Sequence, residues 1–249
     1  MRGTKQTTII PIVFFLCYSF MLQSCNVYTG AGGYGGSSTR TNPQYIVQEK
    51  ITEQGVAVSL PSTQIVIGNE DDVTNDLGIG NAKEVYLNYF KMQFPKAITR
   101  GSKFENVIFY NSKYGVEMDK SFALRTHVMG TNSYMKIHEP IKGTHISTGD
   151  TSVRYILFIE GFKISRDNFT LTTPNSSVPG SPDSKNVVTS AVLNHKLVYA
   201  LWDTEKEMTV SFGKVDEEVN VGLKMAKEDW ATILENIVKD IVKGTQFEK

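Results

Sequence analysis

The chain reads as a single domain of the α/β (or α+β) class, a mixed β-sheet packed by amphipathic helices that include a C-terminal one. Three observations predict this. Residues 153–164 (VRYILFIEGFKI) are nearly continuously apolar over their first half, as a central strand buried on both faces requires. Residues 187–202 and 208–215 form an antiparallel hairpin across the polar stretch 203–207. Trp230, Ile233, Leu234, Ile237, Val238, Ile241 and Val242 recur at i, i+3 and i+4, the stripe of a core-facing helix. Gly244 stands where its C-terminal cap belongs.

The remaining elements follow in chain order. Residues 56–58 and 64–67 are short strands, and NEDDVTNDLG at 69–78 is an acidic loop. A helix opens at Asn81, with Glu84 three residues on in a capping-box-like pair. Val85, Tyr86, Tyr89, Phe90 and Phe94 share one face of it, and Pro95 is expected to end or kink it. Residues 104–110 (FENVIFY) are the next strand. Residues 111–150 show no clean period, although 123–128 has the composition to pair at a sheet edge. After the central strand comes a polar loop, 165–186, with Pro174, Pro179 and Pro182. Loops of this length are uncommon in compact domains and are usually functional or disordered. With Asp167 and Phe169 at its start, it is the candidate partner-binding loop.

The motif LVYALWD at 197–203, a polar turn, VSFG at 210–213 and a Trp-led last helix form a recurrent pattern. It is similar to envelope lipoproteins with a Tol-type N-terminal fold, a group that includes the curli-secretion lipoprotein and the penicillin-binding-protein activator lipoproteins. The resemblance implies that 153–164 matches their preceding core strand and 81–94 their first helix. Two departures are the 165–186 loop and the unpatterned 111–150. The pair of alternating amphipathic segments with which the curli-secretion lipoprotein lines its pore is not visible, so no pore function is carried over.

The N-terminus places the chain in a cell. Arg2 and Lys5 precede an apolar run at 9–22, and Leu22-Gln23-Ser24-Cys25 closes it. That run is 14 residues long and contains Pro11, too short to cross a bilayer core, which takes about 20. The arrangement resembles a bacterial lipoprotein signal peptide, whose lipobox ends in the acylated cysteine; Gln23 departs from the commonest lipoboxes. A plain secretory signal would leave Cys25 a lone free thiol, since Cys17 departs with the signal. The resemblance makes Cys25 the lipid-attachment residue and residues 1–24 the signal peptide. It makes the membrane a partner through the N-terminal lipid. By resemblance to enterobacterial lipoprotein sorting rules, Asn26, in place of aspartate, leans toward the outer membrane of a bacterial cell envelope, with the domain facing the periplasm. Residues 29–42 (TGAGGYGGSSTRTN) hold five glycines and almost no apolar side chains, so residues 25–43 are expected to be a flexible tether and 44–249 the globular domain.

Charge and chemistry narrow the function. Without residues 1–24 the chain has 24 basic and 26 acidic side chains and no Lys/Arg cluster, which gives no footprint for nucleic acid. Ser133-Tyr134-Met135-Lys136 matches the S-x-x-K of penicillin-recognising enzymes and Ser184-Lys185-Asn186 resembles their second motif. Lys142-Gly143-Thr144 and Lys243-Gly244-Thr245 have the wrong order for the third. His127, His138, His145 and His195 lack ligand spacing and are expected at surface or hairpin positions. Glu70, Asp71, Asp72 and Asp76 fail the EF-hand register, because the twelfth position falls on Ala82 or Lys83. Gly78-Ile79-Gly80 is half a dinucleotide fingerprint, with Lys83 at the third glycine. No motif implies a catalytic residue, a metal or a cofactor. The expected function is that of a non-catalytic, lipid-anchored accessory or scaffold lipoprotein that binds an envelope protein. The alternative is a periplasmic enzyme acting on peptidoglycan or another envelope substrate, with Ser133 and Lys136 as candidates.

Overall fold

Two long antiparallel strands form the spine of the sheet, β7 (Val153–Pro174) and β8 (Lys185–Asp203), in register from Tyr155 opposite Asp203 to Pro174 opposite Lys185. The computed structural model describes residues 36–45, 55–110, 120–130, 133–144, 146, 153–174, 185–221 and 226–249. The signal peptide, Cys25, the first part of the tether, His145, Pro179, Pro182 and Ser184 lie outside these residues. β9 (Met208–Val221) pairs antiparallel with β8, and β1 (Ser38–Thr41) pairs antiparallel with β9. On the other side of β7 the pairing turns parallel. β2 (Gly55–Ser59) lies against 153–158, β3 (Ile65–Ile67) against 162–164, and β4 (Val107–Phe109) flanks β2. The result is a seven-stranded mixed sheet in the order β1-β9-β8-β7-β2-β4, with β3 also on β7.

β2 and β3 share one edge of β7 end to end, which needs a break in the ladder between them. Gly161 supplies it. Its positive φ of 59° lies in a conformation that favours glycine, within a bulge between Glu160 and Lys163. Its freed N–H donates to the buried Gln64 Oε1 at 2.9 Å, from the short turn joining β2 to β3.

One face of the sheet is covered by helices α1 (Glu70–Leu77), α2 (Ala82–Gly101) and α3 (Lys227–Val242). Asn81 caps α2, its Oδ1 accepting from the N–H groups of Lys83 and Glu84. All seven apolar residues of the α3 stripe are buried. Tyr86, Phe90 and Phe94 of α2 are buried too, and the Phe90 and Phe94 rings stack 4.3 Å apart. Trp230 meets Tyr86 at 6.0 Å, joining the two helices over the sheet. The C-terminal tail adds Phe247, fully buried and stacked on Phe104 at 4.3 Å. Among the described residues no helix is long and apolar enough to cross a membrane.

The other face is covered by a separate antiparallel hairpin, β5 (Phe122–Gly130) and β6 (Ser133–Pro140). Met129 and Ile137 bury against Ala200 and Phe212, and Phe122 meets Phe158 edge-on at 4.8 Å. The layers are therefore helices, sheet and hairpin, an α+β single domain.

Four expectations are corrected. The acidic stretch 69–78 is helix α1, because Val73 and Leu77, one turn apart, both pack on the core while Glu70, Asp71 and Asp72 complement the helix N-terminus. Pro95 does not end α2, which continues to Gly101; Ala97 and Ile98 keep burying the same face, and that packing outweighs one missing backbone hydrogen bond. Residues 122–140 form a layer of their own and do not extend an edge of the main sheet. Most of the 165–186 loop is strand, so Asp167, Phe169 and Pro174 lie in β7.

The expected tether also reaches less far than residue 43, because residues 38–41 are strand β1. The cause lies in β9. A Cβ on Gly213 would stand 2.4 Å from the Ser38 carbonyl oxygen and 2.7 Å from the Thr39 Cα, so only glycine permits this approach. Asn42 extends the attachment, donating from its backbone N–H to the Val210 carbonyl and from Nδ2 to that of Thr209, both at 2.8 Å. Gly213→Ala should expel β1 while leaving the rest of the sheet and its layers folded, at a cost of about 1–3 kcal/mol. Hydrogen exchange checks this: the amides of 38–42 lose protection while those of β8 keep it.

Candidate interaction surface

Some of the buried polar groups of the described residues engage one another. Asp203, fully buried at the end of β8, accepts from Arg154 Nε at 2.9 Å and Nη2 at 2.8 Å, and from the Tyr45 hydroxyl at 2.7 Å. The N–H groups of Glu205 and Lys206 close on its Oδ1 at 2.9 and 3.1 Å, forming the turn into β9. Burial alone pushes this carboxyl up, but the Arg154, Tyr45 and backbone donors outweigh it and hold it below the usual carboxylate range. The guanidinium of Arg154 is raised in return, chiefly by its bonds to Asp203. A carboxylate so fully occupied is a structural joint, with no lone pair aimed at a substrate.

His195 takes the hairpin position expected of it, though not at the surface. It lies on β8 but is fully buried, ringed by Tyr86, Phe162 and Trp230. Its Nε2 meets the Tyr86 hydroxyl at 2.8 Å. Burial pushes the imidazole down to about 3, so it is neutral in the folded protein. His138 pairs through Nδ1 with Glu160 at 2.7 Å, and His127 Nε2 lies 3.3 Å from Glu139. Glu160 also accepts the His138 backbone N–H at 3.0 Å, capping the edge of β6.

A carboxyl pair, Glu217 and Asp240, lies near β1. Burial and then the neighbouring Asp240 raise the Glu217 carboxyl to about 7. Ser37 bridges here, donating to Glu217 Oε1 at 3.4 Å and accepting from the Asp216 N–H at 2.9 Å.

The enzymatic candidates do not assemble. Ser133 and Lys136 lie on strand β6, where residues three apart point to opposite faces, so the lysine amine is turned away from the serine hydroxyl. Of the four acidic residues of α1, two are engaged by neighbours. Asp72 pairs with Arg166 at 2.9 Å, and Asp76 accepts from Trp230 Nε1 at 3.3 Å. Among the described residues no group of three His, Cys, Asp or Glu is placed to hold a metal ion.

What the fold does present is an arm. β3 leaves β7 at Ile164 and β9 leaves β8 at Ala191, so beyond these points no third strand flanks the hairpin among the described residues. Six further residue pairs continue, from Phe169 opposite Ser190 to Pro174 opposite Lys185. At 3.3 Å per residue the two-stranded arm runs about 20 Å. Of the predicted binding residues, Asp167 sits at its root, exposed and accepting from Asn194 Nδ2 at 2.6 Å. Phe169 and Pro174 belong to the arm itself, and Pro179 and Pro182 lie beyond the described residues.

A second exposed feature was missed in the sequence. The outer side of β5–β6 carries Leu124, Val128 and Tyr134, all exposed. Its only signal was that residues 122–130 are apolar at both odd and even positions, which hides a period of two.

No family model matches the chain, and neither does any curated protein. Among solved structures, it is similar to a PelC dodecamer from Paraburkholderia phytofirmans at 12% identity, with a TM-score of 0.33, 82% of this chain and 96% of that one covered. It is similar at 13% identity, with a TM-score of 0.30, to a Helicobacter pylori protein described as a neuraminyllactose-binding hemagglutinin homolog, with 80% and 84% covered. Likenesses of this size carry no argument about this chain's role.

The His195 environment makes stability depend on pH with a defined sign. The unfolded histidine titrates near 6.5 and the folded one near 3, so its contribution is complete above 6.5 and is lost as pH falls toward 3. In urea titrations at pH 7 and pH 5, the stability advantage of wild type over His195→Gln should shrink by about 2 kcal/mol at the lower pH. An unchanged difference contradicts a buried neutral imidazole.

Proposed function

We propose that the chain is a non-catalytic, lipid-anchored lipoprotein of the bacterial envelope, acting as an accessory or scaffold component by binding a protein partner. The β7–β8 arm is its contact element. The observation that carries the reading is the pair of strand edges that continue past both flanking strands, from Phe169 to Pro174 and from Lys185 to Ser190. Each edge presents backbone donors and acceptors to which an extended segment of another protein adds as a further strand. The anchor is supported by the basic start, short apolar run and Cys25. Acylation there provides reversible or permanent attachment according to the number of chains.

Two experiments test the halves of this proposal separately. Replacing 169–190 with Asn-Gly joins Asn168 to its register partner Ala191 through a two-residue turn. The shortened protein should keep its thermal transition within a few degrees yet lose, by about tenfold or more, the partner crosslinked to wild type in cells and identified by mass spectrometry. Undiminished crosslinking refutes the role of the arm. Growth with an alkyne fatty acid should label wild type and leave Cys25→Ser unlabelled; an unlabelled wild type refutes the anchor.

A further inference from the structure

We infer that the outer face of the β5–β6 hairpin is a second membrane contact, which lays the domain against an anionic lipid surface independently of the acyl chains. The inference rests on the envelope-lipoprotein reading for its biological setting, but its physical basis is the hairpin.

Register and burial fix which side chains face outward. Val128 stands opposite Tyr134, Thr126 opposite Lys136 and Leu124 opposite His138. The alternate residues Met129 and Ile137 are buried on Ala200 and Phe212, and His127 lies over the Phe212 ring at 4.1 Å. The hairpin therefore cannot turn over to hide its apolar residues, because a one-residue slip would expose this packed set. Leu124, Val128 and Tyr134 are left 54%, 61% and 67% exposed. Half-exposed singletons need no explanation, but three on one side of a two-stranded sheet, with Val128 and Tyr134 directly paired, form a patch.

Position and charge favour lipid as the occupant. The Arg40 guanidinium donates to the Met129 carbonyl, so the turn end of the hairpin sits beside the segment through which the chain enters the domain. Cys25 precedes Ser37 by 12 residues, a covalent reach of at most about 40 Å. Any bilayer holding that cysteine is thus within tether reach of Val128 and Tyr134. The outward positions 124, 126, 128, 134, 136 and 138 include no carboxylate of their own, Lys136 is exposed among them, and the Glu160 carboxylate that meets His138 is mostly buried and engaged by that residue's ring and backbone N–H. Glu139 faces inward, almost wholly buried, within 3.3 Å of His127 and 3.8 Å of Arg125. Apolar side chains, a tyrosine with a polar tip and an unopposed lysine are the composition that settles at the headgroup level of an anionic leaflet.

The test uses residues 25–249 carrying Cys25→Ser, so that no acyl chain contributes. This protein should float with vesicles of equal parts phosphatidylethanolamine and phosphatidylglycerol, and much less with phosphatidylcholine alone. Val128→Ser with Tyr134→Ser should weaken flotation about tenfold or more. Lys136→Gln should weaken it about fivefold on the anionic vesicles only. All three positions are exposed, so unchanged thermal transitions will separate lost binding from lost folding. No flotation of the parent protein, or equal flotation of the double variant, overturns the inference. So does a concentration-dependent dimer in sedimentation that the double variant abolishes, which would give the patch to a second copy of the chain. Because the flotation protein cannot be acylated, failed fatty-acid labelling and failed flotation are independent results.

Discussion

A single buried carboxylate sets the geometry from which the rest of the domain extends. Asp203 ends β8, receives both arms of Arg154 from the start of β7, and gathers the turn into β9 through two backbone N–H groups. It thus fixes where three of the sheet's strands begin or end. Tyr45, just after β1, reaches the same carboxylate, so the N-terminal segment is tied to this joint as well. A charge buried this deeply holds only while its donors stay in place; removing one partner of such a group typically costs about 3–5 kcal/mol. From this joint β8 runs 18 residue steps to Lys185, about 60 Å at strand spacing, which makes the arm the far end of one continuous strand pair.

The ionisable groups pull stability in opposite directions with pH. His195, depressed by burial, and Asp203, depressed by its donors, both favour the folded state more as pH rises toward their unfolded values. Glu217 does the reverse. Its folded carboxyl is raised, so its contribution is present below the unfolded value and fades as pH rises through about 7. The first two lie in the core and at its joint, whereas Glu217 lies where Ser37 leads into β1. Mildly acidic conditions therefore favour the protonated Glu217 carboxyl beside Asp240 while weakening the core through His195.

How much of this could be read in the sequence depended on range. The α3 stripe and the Asn81 cap are local patterns, and both elements form where the pattern places them. The β8–β9 turn was visible because a polar stretch interrupts two apolar runs. The Asp203 joint was not, since Arg154 is 49 residues away and Tyr45 is 158 away. Burial of His195 depends on Tyr86, 109 positions earlier, and no spacing rule links them. The supposed loop at 165–186 looked polar because its strand ends run past the flanking β3 and β9 among the described residues, where the sequence lacks the apolar alternation of a packed strand. β1 was hidden for the opposite reason: its signal lies in Gly213, on the strand that receives it.

The pairing of β1 has a mechanical consequence. Load reaching the domain from its N-terminal side arrives first at Ser38, where β1 lies antiparallel on β9 in four-residue register. Traction directed along the strand strains those cross-strand bonds together, in shear, whereas sideways traction peels them one after another. The same short strand is therefore stiff to a lengthwise tug and weak to a lateral one.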